Sequence, residues 1–197
     1  MSFWREVRRF LGSSTAAPLV HASQPKVLLT QNCLDAIPVA LDREMRIGHE
    51  GIVYLLGRTD GNTALAVTVF KPEARTSPGS FSVDARAMAA CVGAAGRYEL
   101  QVVGQIHSHP QDAYHSDGDV EGARIRYPGY VSIVLPNYGG LLPSLRGAAV
   151  YIWSSGVRWH ELSINDIIII PSSGPWTSKA GTTSATIASS GTPTRIA

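Results

Sequence analysis

Residues 98–119 read YELQVVGQIHSHPQDAYHSDGD, an apolar run that opens into a loop with three histidines and three aspartates. The run up to His109 has the composition of a β-strand. Side chains two apart on a strand share a face, so His107 and His109 can aim two imidazoles at one point. Ser116 and Asp119 are three apart and share a side on the first turn of a helix. Each pattern alone has an ordinary structural reading: a pair of surface histidines at a strand end, and a Ser-x-x-Asp capping box. The capping box is compatible with a ligand role, because a helix beginning at 116 would fix Asp119 in place. Together, His-x-His and an aspartate ten residues on form a nitrogen and carboxylate donor set suited to zinc. Three protein ligands leave a fourth tetrahedral position for water, as catalytic sites do. Such a site needs a base, and Glu50, heading the run EGIVYLLG, is the candidate; the ordinary reading of one strand-initial glutamate is a solvated carboxylate.

Outward from this stretch, helices and strands alternate without a regular β-α-β repeat, which predicts an α/β (α+β) class with a mixed central sheet flanked by helices. KVLLT (26–30) reads as a strand, and NCLDAIPVALDREMR (32–46) has helical apolar spacing despite Pro38, a residue able to bend or interrupt a helix. EGIVYLLGR and TALAVTVFKP flank the turn signal TDGN and form a hairpin. SVDARAMAACVGAAG (82–96) reads as a helix capped by Ser82 and ended by Gly93 or Gly96. YVSIVLP, AAVYIWSS, VRWHEL and DIIIIP are further strands, with a turn at SSG, 154–156.

Three segments follow. Residues 1–25 hold a short amphipathic helix, FWREVRRFLG, and a linker; 26–171 form the body; 172–197, dominated by Ser, Thr, Gly, Ala and Pro, form a flexible tail. The basic N-terminal helix suits docking on the body, on a partner or on a membrane surface, and the first is favoured. A chain of 197 residues with 44% hydrophobic and 16% charged residues can build a substantial core. The net charge of +2, with arginines scattered, leaves no electrostatic footprint for nucleic acid. Cys33 and Cys91 form no C-x-x-C pair and are expected as buried free thiols, which suits a reducing compartment. With no signal-peptide-like or membrane-spanning run, the expected location is the cytoplasm.

HEGIVYLLG (49–57), VVGQIHSHP (102–110) and SDGD (116–119) together resemble the JAMM metallopeptidases, also called MPN-plus, Mov34/PAD-1-like or JAB. Their motif is a glutamate on an early strand, then His-Ser/Thr-His-Pro, then Ser-x-x-Asp. The likeness spans roughly 27–171 in element order and implies a single MPN/JAB domain of cytidine-deaminase-like fold. It implies that His107, His109 and Asp119 hold one zinc ion, Zn2+, per chain. It also implies that Glu50 is the general acid/base and that Ser116 stabilises the tetrahedral oxyanion. Six residues separate His109 from Ser116, where members of the family commonly have seven, so the loop is read as one residue shorter; the intact Ser-x-x-Asp unit selects Asp119 over Asp117 or Asp112. His115 and His49 fit no ligand position and are read as supporting or surface groups; His21 and His160 carry no signal.

The resemblance further implies hydrolysis of the peptide or isopeptide bond after the C-terminal glycine of a ubiquitin-like protein. Among the compact bacterial members, some are encoded with E1- and E2-like enzymes in antiphage operons, so these are the expected partners, and paired protomers are compatible because several relatives work in assemblies. Alternative readings are a JAMM peptidase processing a sulfur-carrier or phage tail protein, a RadC-like role in DNA repair, which the modest charge disfavours, and a zinc-ordered partner-binding module.

Overall fold

The structure, a computed structural model, describes residues 26–154 and 158–172. The expected N-terminal helix and linker, the middle of the 154–156 turn and the tail beyond residue 172 lie outside the described residues. In chain order the elements are β1 (Val27–Thr30), α1 (Gln31–Ile47), β2 (Ile52–Thr59), β3 (Ala64–Phe70), β4 (Arg75–Ser77), β5 (Ser80–Ser82) and α2 (Ala85–Arg97). They continue with β6 (Gln101–Ser108), α3 (Asp117–Gly122), β7 (Val131–Leu135), β8 (Ala149–Ser154), β9 (Arg158–Leu162) and β10 (Ile167–Ile170).

Eight strands form one mixed sheet in the order β10-β1-β3-β2-β6-β7-β8-β9, and β4 and β5 pair separately. β1 lies parallel to both β10 and β3, and β6 parallel to β7; the other neighbours in the large sheet are antiparallel. α1 covers one face, burying Cys33, Leu34, Ile37 and Leu41 against Leu29, Val53, Leu55, Val103, Ile106 and Ile133. α2 covers part of the other, with Ala87, Cys91 and Ala95 against Ile52, Tyr54, Leu56 and Val102. The result is a mixed α+β domain with helices on both faces, as the alternation of elements predicts.

α1 forms as the spacing predicts and runs through Pro38 uninterrupted. Its buried residues lie on both sides of the proline, and their packing outweighs the one backbone bond that proline removes. The TDGN turn joins β2 and β3 as expected: the Asp60 side chain accepts from the backbone N–H groups of Asn62 and Thr63, both at 2.8 Å. α2 departs from expectation at both ends. Ser82 is the last residue of β5, and Asp84 caps the helix by accepting from Ala87 N at 2.8 Å. The helix passes through Gly93 and Gly96 to Arg97 because its buried alanines and Cys91 hold it on the sheet. Both cysteines are buried and unpaired, and burial pushes their thiols up to about 12. Among the described residues no helix is long and apolar enough to cross a membrane.

Candidate metal centre

β6 ends where the chain leaves for its parallel neighbour β7, and the candidate site sits at that end. His107 is fully buried and His109 is 5% exposed, both on the face that carries α2 further along the sheet. Ser108, between them, points the other way and locks the adjacent segment: its hydroxyl accepts from Gly51 N at 2.9 Å, and its own N–H donates to Gly51 O at 3.0 Å. Glu50 N donates to Ser77 O on β4 at 2.9 Å. A Cβ at position 51 would lie 2.8 Å from Leu41 Cδ2 and 3.2 Å from Glu44 Cβ, so glycine lets this segment pass close to α1 without displacing either side chain. Glu50 is thereby fixed just before β2, which begins at Ile52 and not at Glu50 as expected, and its side chain enters the same cleft as His109 and Asp119.

The Ser-x-x-Asp unit forms the capping box that its spacing allows. Ser116 is the N-cap of α3; its Oγ accepts from Asp119 N at 3.2 Å, and Ser116 N donates to Asp119 Oδ2 at 2.9 Å. The Ser116 hydroxyl also donates to Oδ2, at 2.7 Å. So held, the Asp119 carboxylate faces both imidazoles: His107 Nε2 is 3.1 Å from Oδ1 and His109 Nε2 is 3.2 Å from Oδ2. One ligand atom from each of His107, His109 and Asp119 lies within 4.8 Å of the others. The six-residue spacing from His109 to Ser116 still delivers Asp119 to the two histidines.

The residues fit a metal ion. Neither ring nitrogen of His107 has a hydrogen-bond partner, because its approach to Asp119 lacks hydrogen-bond geometry, and both are buried. An unpaired buried nitrogen costs about 1–3 kcal/mol unless something takes its lone pair. A divalent cation does so, and ligands at ~2.0–2.2 Å in a tetrahedron sit about 3.3–3.5 Å from one another, close to the separations here. Two imidazoles and a carboxylate suit zinc and also Fe(II).

The charges at the site are strongly coupled. Burial pushes the Glu50 carboxyl up and the Asp119 charge adds to this, while His109 opposes them. For Asp119, burial acts upward, but the close His107 and His109 imidazoles and the hydrogen bond from Ser116 prevail and hold it well below the usual carboxylate range. Burial lowers His109, yet the Asp119 hydrogen bond and charge, Glu50 and the Asp112 backbone carbonyl together raise it.

Further groups that the sequence reading did not single out, or left as supporting, complete the site. His115 Nε2 is 2.9 Å from Ser132 Oγ, its ring stacks on Tyr151 at 3.9 Å, and its backbone N–H donates to Tyr151 Oη at 3.2 Å. Burial drops it to about 4, with His107 and His109 acting in the same direction, so the ring is neutral near pH 7. Ser132 belongs to a polar row of register partners across five strands: Tyr54, Gln105, Ser132, Tyr151 and Glu161. Their signal in the sequence was parity, since Gln105 is two residues before His107. Phe81 on β5 packs 5.2 Å from the His107 ring and Tyr114 edge-on at 5.1 Å from His109. His49 Nδ1 lies 3.2 Å from Thr76 Oγ1, away from the ligand atoms, and His160 sits on β9. A cleft of about 460 Å³ opens over the centre, lined by Glu50, His109, Ser116, Asp119 and the β5 strand.

No family model matches the chain. It is 29% identical over 140 residues, 69% of this chain and 86% of the relative, to "Probable metalloprotease y4jG" of Sinorhizobium fredii. A solution structure of protein DSY2949 from Desulfitobacterium hafniense shares the fold, with a TM-score of 0.58 at 19% identity over 74% of this chain and 93% of that one. A second solution structure, of a protein from Salinibacter ruber, aligns over 76% of this chain and 94% of that one with a TM-score of 0.49 at 24% identity. The metalloprotease-like relative and the His107, His109 and Asp119 cluster support a metal-dependent peptidase.

Proposed function

We propose that the protein is a JAMM-type zinc peptidase that hydrolyses the bond after the C-terminal glycine of a ubiquitin-like protein, removing or maturing such a modifier in a bacterial antiviral pathway. The observation that carries this reading is the entry of Glu50, whose segment is held by three hydrogen bonds of the Glu50 and Gly51 backbone, into the cleft that holds His109 and Asp119.

In this reading His107 Nε2, His109 Nε2 and the Asp119 carboxylate hold the ion. When bound, zinc supplies Lewis acidity that polarises the scissile carbonyl and makes a water acidic enough to lose its proton near neutral pH. Glu50 takes that proton and later delivers it to the leaving amine; its raised affinity for a proton suits both halves of the task. The Ser116 hydroxyl, which donates to Asp119 Oδ2, turns to the substrate oxyanion once the carboxylate's lone pairs are otherwise engaged. Each backbone strand of the β4–β5 pair has one edge unpaired within that pair, and the β5 residues Ser80, Phe81 and Ser82 line the cleft. An extended, side-chain-poor glycine tail laid along β5 as an added strand would reach the centre.

The test is intact mass spectrometry of a ubiquitin-like protein from a neighbouring gene, presented as a C-terminal fusion and as a lysine conjugate. Cleavage directly after the terminal glycine by wild type and not by Glu50→Gln is expected. A zinc-loaded wild type that leaves both substrates intact would overturn the modifier reading.

A further inference from the structure

The cleft continues past the metal centre to an end formed by Tyr54, Val83, Gln105, Ala123 and Arg124. Tyr54 and Gln105 are register partners on β2 and β6, and Gln105 is two residues from His107. At ~3.3 Å per residue this end lies about 7 Å from the His107 backbone, the span of one or two residues of an extended peptide.

Three side chains that carry hydrogen-bond donors line this end. Tyr54 is 4% exposed, and its hydroxyl has no hydrogen-bond partner among the described residues. Burial holds the phenol well above its ordinary value, so it stays a donor, and the Arg124 guanidinium is near enough to act against that rise. Gln105, 7% exposed, has only two long contacts, 3.5 Å to Ser132 Oγ and 3.4 Å from Tyr130 Oη, at the outer limit of hydrogen bonding. Arg124 has no ion pair among the described residues, and none of the cleft carboxylates Glu50, Asp112 and Asp119 pairs with it. Its neighbour Arg126 does the structural work of this segment, donating to the carbonyls of Val120, Glu121 and Ala123 and lying 5.5 Å over the Trp153 ring.

A tyrosine hydroxyl that stays accessible in the cleft, an amide with only long contacts and an exposed guanidinium with no ion pair among the described residues offer their donors to an anion, and a carboxylate matches the arginine fork with two parallel bonds. We propose that this end of the cleft is a carboxylate-binding subsite, in which Tyr54, Gln105 and Arg124 hold a substrate carboxylate one or two residues from the scissile bond. The proposal rests on the peptidase reading only in taking the cleft's ligand to be a peptide. The carboxylate has two sources: an acidic side chain, or the free C-terminus of a substrate that ends just beyond the cleaved bond.

The experiment is calorimetric titration of the full-length, zinc-loaded protein in the Glu50→Gln background with three probes: acetyl-Gly-Gly-Gln-amide, acetyl-Gly-Gly-Glu-amide and acetyl-Gly-Gly-Gln with its terminal carboxylate free. At least one carboxylate peptide is expected to bind about tenfold tighter than the neutral amide, which corresponds to about 1.4 kcal/mol. Tightening by the glutamate alone identifies an acidic side chain as the ligand, and tightening by the free terminus alone identifies a C-terminus. Arg124→Gln and Tyr54→Phe are each expected to cut the preference several-fold. Equal affinities, no measurable binding of either carboxylate peptide, or a preference that survives both substitutions, and so belongs to the metal, would overturn the proposal. Mass spectrometry of the same peptides after incubation with wild type reads hydrolysis separately: uncut peptides with an intact preference count against the peptidase reading and not against the subsite.

Discussion

The Asp119 carboxylate receives the Ser116 hydroxyl at 2.7 Å and the Ser116 N–H at 2.9 Å while facing both imidazoles, so its position is over-determined by a turn only four residues long. Among the described residues the Glu50 carboxylate has no such bonds, while its segment is fixed and its side chain lines the cleft. Glu50→Gln is therefore expected to lower turnover by a factor of about 10²–10⁴ while the metal content is unchanged. Steady-state hydrolysis beside elemental analysis checks this, and loss of metal with loss of rate would mean that Glu50 is structural. His115 gives a pH prediction. Its proton affinity is depressed to about 4 in the folded state against about 6.5 unfolded, so the unfolded chain binds the extra proton between those values. This group's contribution is fully present above pH 6.5 and is lost as the pH falls towards 4. Urea midpoints for wild type should fall more steeply over that window than those of His115→Phe, and parallel curves would contradict the assignment. The clustering of His107, His109 and Asp119 with Ser116 was legible because their spacings are fixed by one strand and one turn, whereas Glu50 was singled out as a base that such a site needs and by the resemblance. Tyr54, Gln105 and Ser132 were not, because their meaning comes from cross-strand register, which single-strand patterns do not carry.

At the scale of elements, α3 is six residues long and too short to hold itself without its cap. Ser116→Ala removes one capping acceptor and one donor to Asp119, and should cost about 1 kcal/mol locally. Hydrogen exchange at the Asp119 and Val120 amides, both facing Ser116, should quicken several-fold, and unchanged exchange would show that the loop holds α3 without the box. β6 is equally constrained at Gly104, where a Cβ would lie 2.6 Å from Val131 O and 3.2 Å from Leu55 Cδ1. Gly104→Ala must part β6 from β7, and a loss of about 1–3 kcal/mol by denaturant unfolding is expected, together with weaker metal retention. The long elements were readable from periodicity, including the β2–β3 hairpin with its TDGN turn. The β4–β5 pair was not, since three-residue strands hold too few side chains to show alternation, and it is this pair that walls the cleft and anchors Glu50.

For the whole molecule, the sheet brings residues from 50 to 124 to one cleft through an order in which β1 sits between β3 and β10. The class of fold followed from the alternation of helices and strands. The strand order did not, because long-range pairing leaves no local trace. A buried nitrogen without a partner among the described residues leaves a cost at the centre that a bound ion would remove. Chelation should lower Tm by about 5–10 °C, restored by added zinc, if the ion is present near a hundred times its Kd. The most direct single measurement is the metal content of purified wild type, Glu50→Gln, His109→Ala and Asp119→Ala, by elemental mass spectrometry after dialysis. One zinc per chain in the first two proteins and none in the last two is the predicted result. Zinc retained by both ligand variants, or no metal taken up by a folded wild type, would contradict the account.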